Sequence, residues 1–475
     1  MSWPKIDDIV SAVLSGENSA LLNVQLALDN IQKNSQYNAI ISTLDKEALD
    51  KANKIDQDIK ANKKVGILAG VPFIAKDNFL VFDVQTTAAS NILKGFYAPY
   101  QASAINRLED EGAICVAKAN MDAFAHGSST ENSDFFITKN PHDINRVAGG
   151  SSGGSAASVA LDLVPFSLGT DTGGSIRQPA SFCGVVGFKP SYGMVSRSGV
   201  VAMGSSLDTI GTFTKNVSDS KRVSSVISGN DPLDSTTLPD QYRITSNLEK
   251  IDFKSIKVGI IKEYLSDNIN PKVKETILSS IAKLKFLGVN VQEVSIPSLD
   301  LALAVYYVLC PAEIASNLSR YDGQRFGYSY PDAQNLDESY LKSRTNGFGD
   351  EAKTRIMIGT YVLSSGYYDA YYKKAQTVRT KLINDFNQVF NSYDFLLGPT
   401  VPDTAFKIGE KSNSKLEMYL NDIMTVAANL VGIPAISMPV GMVDNLPVGL
   451  QIMAPITKDN QLLDFCNQIE DEICL

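Results

Sequence analysis

Two glycine- and serine-rich stretches decide the fold: V-A-G-G-S-S-G-G-S-A-A at residues 147–157 and G-T-D-T-G-G-S-I-R-Q-P-A at residues 169–180. Each stretch leads directly into apolar sequence, whereas a solvated linker stays polar throughout. Glycines beside serines let the backbone approach a ligand closely, with its N–H groups pointing inward. Ser151, Ser152 and Ser175 are therefore candidate active-site residues, although two tight structural turns would give the same pattern.

The bulk composition is that of a globular protein with an acidic balance. The 475 residues, of which 44% are hydrophobic and 20% charged, suffice for one large domain or about two to three ordinary ones. The net charge is −9 and no basic run is present, so we do not expect this chain alone to bind nucleic acid tightly. Five scattered cysteines without a C-x-x-C pair predict neither a disulfide framework nor a metal site.

The sequence predicts a cytoplasmic protein without a membrane segment. The N-terminus lacks the basic and apolar regions of a signal peptide. We find no run of about 18 apolar residues that would predict a transmembrane helix.

Hydrophobic periodicity predicts an α/β fold. Residues 256–261 and 289–294 are predicted strands on either side of a helix, and this βαβ unit favours a mixed, largely parallel sheet covered by helices. Residues 65–80 read as a short strand, a turn and a second apolar run. Further helices are predicted at 6–33 (two, with a break at 15–18), 46–62, 217–226, 302–317, 355–390 and 417–430, and further strands at 39–43, 395–400, 436–439 and 450–453.

Lys76 lies inside the apolar run V-P-F-I-A-K-D-N-F-L at residues 71–80. Burial would disfavour its ammonium form and lower its pKa, which would make it a candidate general base. A lysine whose head reaches water, or one paired with Asp77, would fit the same pattern.

A serine nucleophile needs a base, and histidine is poorly placed to supply it here. His126 and His142, the two histidines, have no acidic partner at a diagnostic spacing, and Ser175 does not stand in a G-x-S-x-G motif. A buried neutral lysine is the other available base. The turn at Thr172, Gly173, Gly174 and Ser175 precedes a predicted helix, so its backbone N–H groups could form an oxyanion hole. P-loop, H-E-x-x-H and dinucleotide motifs are absent.

The two serine-rich stretches, together with P-F-I-A-K-D at residues 72–77, resemble the amidase signature family. The resemblance implies an α/β amidase-signature fold, with a mixed sheet covered by helices on both faces. It implies a single domain over residues 1–475, in which residues 60–215 form the catalytic core and 216–475 complete the sheet and the glutamine pocket. It also implies a Ser–cisSer–Lys triad that hydrolyses amides. Ser175 would be the acyl-forming nucleophile, Ser151 the proton-relaying serine on a cis peptide bond, and Lys76 the base.

Four further runs resemble the A subunits of bacterial tRNA-dependent amidotransferases. They are N-M-D-A-F-A-H-G-S-S-T-E-N-S at 120–133, A-E-I-A-S-N-L-S-R-Y-D-G-Q-R-F-G-Y at 312–328, S-S-G-Y-Y-D-A-Y-Y-K-K-A-Q at 364–376 and V-G-L-Q-I at 448–452. The resemblance implies a glutaminase that supplies ammonia to a B subunit, with a small C subunit completing a heterotrimer. The B subunit would hold the tRNA and use ATP and Mg²⁺ to convert Glu-tRNA(Gln), Asp-tRNA(Asn) or both, and this chain would need no cofactor.

The same resemblance implies that Arg355, Asp422 and Ser128 bind glutamine. A guanidinium pairs well with an α-carboxylate, and a carboxylate accepts from an α-ammonium. Without the resemblance, a surface ion pair would be the preferred interpretation of Arg355 and Asp422. The chain departs from the family at Ala123, where glutamate is usual, and at His126, where methionine is usual. Because of these two differences, the resemblance does not predict the route that ammonia takes.

Two alternatives to a glutaminase subunit remain. One is a free-standing amidase acting on small amides, which the four matching runs oppose. The other is a scaffold subunit that has lost catalysis, which the intact Lys76, Ser151 and Ser175 oppose.

Overall fold

An 11-stranded mixed sheet runs through the computed structural model, which describes residues 2–266, 269–411 and 414–474. The strands pair in the order β1-β3-β2-β4-β6-β5-β10-β11-β9-β7-β8. Their bounds are β1 Ile40–Thr43, β2 Pro72–Lys76, β3 Ile114–Ala119, β4 Phe166–Asp171, β5 Val186–Lys189, β6 Thr209–Thr214, β7 Lys257–Ile261, β8 Asn290–Val294, β9 Phe395–Pro399, β10 Ala435–Val443 and β11 Leu446–Met453.

The sheet is mixed, as predicted, but it is not largely parallel. Four strand pairings are parallel: β2–β3, β2–β4, β7–β8 and β7–β9. The other six are antiparallel. Five of them join the two parallel groups through β6, β5, β10 and β11, and the sixth pairs β1 with β3 at the edge of the sheet. The prediction extended the one visible βαβ unit to the whole sheet, whereas the β10–β11 hairpin and the antiparallel strands β5 and β6 occupy its centre.

Fifteen α-helices lie within the described residues. Their bounds are α1 Ile6–Ser15, α2 Ala20–Lys33, α3 Asp45–Lys60, α4 Ser103–Asp110, α5 Gly153–Ala160, α6 Arg177–Cys183, α7 Val217–Ile227, α8 Pro271–Phe286, α9 Ala302–Asn317, α10 Leu336–Gly347, α11 Asp350–Leu363, α12 Lys374–Phe390, α13 Lys415–Leu420, α14 Val426–Val431 and α15 Asp459–Ile473. A π-helical turn at Asp369–Lys373 precedes α12.

Helices cover both faces of the sheet. Alternate residues of a strand point to opposite faces, so one strand contacts both helical layers. In β2, Phe73 and Ala75 pack in an apolar core with residues of α1, α4 and α7. Ile74, between them, packs in a separate core with residues of α2, α5 and α6. The predicted arrangement of a sheet between helical layers is therefore confirmed. The division at residues 60–215 and 216–475 stays a prediction.

Three local predictions are wrong. The helix predicted at 355–390 is two helices, α11 and α12, separated by residues 364–373. The first apolar run of residues 65–80 forms turns, because Leu68 and Gly70 donate their N–H groups to Glu111 and Gly112 instead of to a strand. The predicted helix at 417–430 is two helices, α13 and α14, separated by residues 421–425. That break carries Asp422, one of the predicted substrate-binding residues.

One helical run, Pro297–Arg320, is long and apolar enough to cross a membrane by length and composition, with a mean hydropathy of 1.4. The sequence analysis predicted no membrane-spanning helix at these residues. Its centre is α9, whose Leu309 and Ile314 lie in the largest apolar core with residues of α12 and α14. Since 56% of the most apolar window is buried inside the protein, we interpret it as a core helix.

Candidate active site

Lys76 is the last residue of β2, and its amine lies in a cage of three hydroxyl groups. Nζ is 2.8 Å from Oγ of Ser151, 2.8 Å from Oγ of Ser152 and 2.9 Å from Oγ1 of Thr170. Burial lowers the pKa of Lys76 to about 7, and nearby carboxylates offset only part of that desolvation. Much of this lysine is therefore a neutral amine near neutral pH, able to accept a proton.

Ser151 and Ser152, the two serines beside Lys76, differ in the acceptors available to their hydroxyl groups. Oγ of Ser152 donates to the carbonyl of Thr170 at 3.1 Å. Oγ of Ser151 has Lys76 as its only described partner. The peptide bond between Gly150 and Ser151 is cis, which agrees with the family resemblance. Of the two, Ser151 is thus the serine whose proton is free to pass to the amine.

Ser175 lies in the loop between β4 and α6 and is 8% exposed. Its Oγ makes no hydrogen bond to any described residue, Ser151 included. The structure therefore brings Lys76 and Ser151 together, and the link from Ser151 to Ser175 stays a prediction.

The loop that holds Ser175 also carries the predicted oxyanion donors. Within the described part of the chain, the N–H groups of Thr172, Gly173 and Ser175 have no acceptor. The N–H of Gly174 donates to Oδ1 of Asp171 at 2.8 Å, so three of the four predicted donors are open in this conformation. Gly174 has a φ of +131°, and a Cβ there would lie 2.2 Å from Oγ1 of Thr425, so this position requires glycine.

A buried ion pair that sequence analysis did not single out shapes this loop. Asp171 and Arg177, both fully buried, are joined at 2.9 Å. Burial alone would raise the pKa of Asp171, but Arg177 holds it at about 2. The guanidinium continues to Oδ1 of Asn429 at 2.7 Å and Oε1 of Gln451 at 2.6 Å. A sequence signal was available, since an aspartate and an arginine flank the G-G-S turn six residues apart.

Gln178 ties the two serine-rich stretches to the segment at residues 120–133. Its Oε1 accepts from the N–H of Gly150 at 2.9 Å, and its Nε2 donates to the carbonyl of Ser128 at 2.8 Å. A Cβ at Gly150 would lie 2.2 Å from Oδ2 of Asp122. Only glycine therefore allows the backbone to lie so close to that carboxylate.

Ser128 and Arg355 line one cavity of about 410 Å³. Nε of Arg355 donates to Glu351 at 2.9 Å, while its terminal nitrogens have no acceptor among the residues that the structure describes. The guanidinium carbon lies 5.6 Å from the ring centre of Tyr307. A larger cavity of about 1030 Å³, near Phe82, is lined by none of the predicted site residues.

Asp422 does not line the Arg355 cavity, but Tyr307 connects it to Arg355. Oδ2 of Asp422 accepts from the Tyr307 hydroxyl at 2.8 Å. Burial raises the pKa of Asp422 to about 7, against the effects of that hydrogen bond and of Arg355. Arg355, which could bind a carboxylate, and Asp422, which could bind an ammonium group, therefore both contact Tyr307. An α-amino acid head carries both of these charges.

Comparison with known proteins agrees with this chemistry. The amidase family matches residues 23–463. The A subunit of glutamyl-tRNA(Gln) amidotransferase from Desulforamulus reducens is 51% identical over 420 residues, which is 88% of this chain and 87% of the relative. The protein of the same name from Thermoanaerobacter pseudethanolicus is 48% identical over 456 residues, covering 96% and 93%.

Solved structures give the same picture. The crystal structure of the A subunit of glutamyl-tRNA(Gln) amidotransferase from Thermotoga maritima has a TM-score of 0.77 and 39% identity, covering 95% of this chain and 91% of its own. The crystal structure of an amidase has a TM-score of 0.85 and 28% identity, covering 99% and 100%.

Proposed function

The chain belongs to the amidase family and, within it, to the glutamyl-tRNA(Gln) amidotransferase A subunits, and on that premise we propose that it hydrolyses glutamine to supply ammonia to a partner subunit. The single observation that carries the proposal is the buried amine of Lys76, held 2.8 Å from a serine hydroxyl beside an open N–H loop. This arrangement suits acyl transfer from an amide.

The reaction begins with proton transfer to the neutral amine. Lys76 takes the proton of Ser151, and Ser151 in turn takes the proton of Ser175 as Oγ attacks the carboxamide carbon of glutamine. The support is the low pKa of Lys76, together with the unused hydroxyl proton of Ser151. The same relay returns a proton to the leaving nitrogen, and ammonia departs. Water then cleaves the ester on Ser175 by the reverse route and releases glutamate.

The tetrahedral intermediate places a negative charge on the former carbonyl oxygen. The N–H groups of Thr172, Gly173 and Ser175 would bind that oxygen, because no described residue accepts from them. Asp171 and Arg177 would hold the loop in place, so that little reorganisation accompanies charge development.

Arg355 and Asp422 would select glutamine among amides. Arg355 pairs with the α-carboxylate through its unoccupied terminal nitrogens, and Asp422 accepts from the α-ammonium. Ser128 lines the Arg355 cavity and would contact the same head group.

The ammonia would then pass to a B subunit, with a small C subunit holding the two together. The B subunit would bind the tRNA and use ATP and Mg²⁺ in the cytoplasm, converting Glu-tRNA(Gln), Asp-tRNA(Asn) or both, and this chain would need no cofactor of its own. The acidic balance of this chain, −9, fits that division of labour.

The test is glutamine hydrolysis by the purified chain, with and without co-expressed partner subunits, beside a Ser175→Ala variant. The proposal expects hydrolysis that partners stimulate and that Ser175→Ala abolishes. A preference for amides without an α-amino acid head would instead indicate a free-standing amidase. Absence of Ser175-dependent hydrolysis in every combination would indicate a scaffold subunit.

A further inference from the structure

His126 carries two buried nitrogens that have no hydrogen-bond partner in the described part of the chain. The residue is 1% exposed, and both Nδ1 and Nε2 are unpaired. His142 provides a contrast, because its Nε2 lies 3.0 Å from the carbonyl of Cys183. Buried polar groups are nearly always paired, so an unpaired imidazole indicates a missing ligand or water.

The backbone around His126 is fixed beside the Arg355 cavity. The His126 N–H donates to the carbonyl of Ala123 at 3.0 Å, and its own carbonyl accepts from Asn132 Nδ2 at 3.0 Å. The next three residues, at positions 127–129, line the cavity together with Arg355. His126 therefore directly precedes the stretch of chain that lines this cavity beside Arg355.

The charge of Arg355 acts on this imidazole. Desolvation first, and then Arg355, lower the pKa of His126 well below its usual value. A neutral imidazole offers one N–H donor and one acceptor nitrogen. Arg355 donates its Nε–H to Glu351, and its terminal nitrogens have no acceptor among the described residues. The imidazole N–H of His126 and the terminal nitrogens of Arg355 could therefore donate to an anion with two oxygens. A carboxylate is such an anion.

We propose that His126 donates a hydrogen bond to the α-carboxylate of glutamine, beside Arg355, and so contributes to substrate specificity. This inference rests on the proposed function, since it concerns the same substrate. It assigns to an imidazole a contact that the methionine usual at this position could not make.

The experiment compares glutamine with 4-aminobutanamide, which lacks only the α-carboxylate. The full chain is purified with its partner subunits as wild type, His126→Met and His126→Gln, and KM and kcat are measured for both amides. Loss of a hydrogen bond to a charged group predicts that His126→Met raises KM for glutamine about tenfold or more. We expect kcat for glutamine and KM for 4-aminobutanamide to change little, and His126→Gln, which keeps a donor, to recover most of the loss.

A second measurement needs no variant at His126. Histidine is labelled with ¹⁵N in the Ser175→Ala chain, and the two imidazole signals are followed on titration. Glutamine should shift the His126 signals and 4-aminobutanamide should not, while those of His142 stay unchanged with both.

An unchanged KM for glutamine in His126→Met, or an equal rise for both amides, would overturn the inference and leave His126 as a structural or water-binding residue. Unchanged His126 signals on saturation with glutamine would overturn it as well. Failure of the proposed function looks different, because the wild-type complex would then not hydrolyse glutamine at all.

Discussion

Nζ of Lys76 and Oγ of Ser151 lie 2.8 Å apart, and neither side chain has exposed surface. This pair joins the end of β2 to the turn before α5, across 75 residues of sequence. The amine is kept from water by the same packing that lowers its pKa to about 7. Burial thus lowers the pKa of this lysine, and the fold places its amine against the hydroxyl of Ser151 as well as those of Ser152 and Thr170.

Replacing Lys76 by methionine should remove the base while retaining most of the side-chain volume. We expect kcat for glutamine hydrolysis to fall about 10²- to 10⁴-fold, the usual contribution of a general base. Lys51→Met is the matched control, because Lys51 is partly exposed and pairs with Glu109 at a cavity that none of the predicted site residues line. Equal rates in wild type and Lys76→Met would show that another group is the base.

The pH profile of kcat/KM for glutamine should rise through about pH 7. Below that pH Lys76 is an ammonium and cannot accept a proton, and above it the neutral amine predominates. Asp422, whose pKa is also about 7, acts in the same direction, because only its carboxylate pairs with the α-ammonium.

Glutaramate, which lacks only the α-amino group, separates the two titrations. With glutaramate, the rise should depend on Lys76 alone and become shallower. A profile that falls between pH 6 and 8 would contradict the assignment of a neutral lysine.

Arg355→Lys should weaken glutamine binding more than it slows the chemistry. An ammonium cannot reproduce the fork of a guanidinium, so we expect KM for glutamine to rise about 10- to 100-fold. The control is 4-aminobutanamide, for which KM should hardly change. A loss of the same size for both amides would mean that Arg355 serves only to keep the fold intact.

Asp171→Asn should destabilise the protein as well as reduce its activity. Breaking a buried ion pair leaves the charge of Arg177 without a carboxylate partner and costs about 3–5 kcal/mol. Urea denaturation should show this loss, whereas Asp444→Asn, which breaks the exposed pair with Lys272, should cost about 1 kcal/mol or less. Similar stabilities for the two variants would refute the structural role of the buried pair.

The sequence was most informative where local patterns carry the chemistry. The serines stand in motifs whose glycines are needed for close backbone approach, and Lys76 stands in an apolar run, so both were identified from the local sequence. The helical periodicity at residues 6–33, and between the strands predicted at 256–261 and 289–294, likewise matched α1, α2 and α8.

Features that depend on distant residues could not be read in this way. Arg177 donates hydrogen bonds to Asn429 and Gln451, which lie 252 and 274 residues further along the sequence. The local sequence pattern does not predict these contacts. The helix predicted at 417–430 is interrupted where Thr425 donates its hydroxyl to the carbonyl of Gly173 at 2.6 Å, a tertiary contact that periodicity does not reveal. The catalytic roles themselves stay predictions until activity is measured.

The most direct measurement is glutaminase activity of the chain with its partner subunits, wild type beside Ser175→Ala. Our account predicts that the wild-type complex releases glutamate and ammonia and that the alanine variant loses at least about 10³-fold in kcat while remaining folded. Glutamine hydrolysis that persists undiminished in Ser175→Ala would contradict the account, because another nucleophile would then have to carry the reaction.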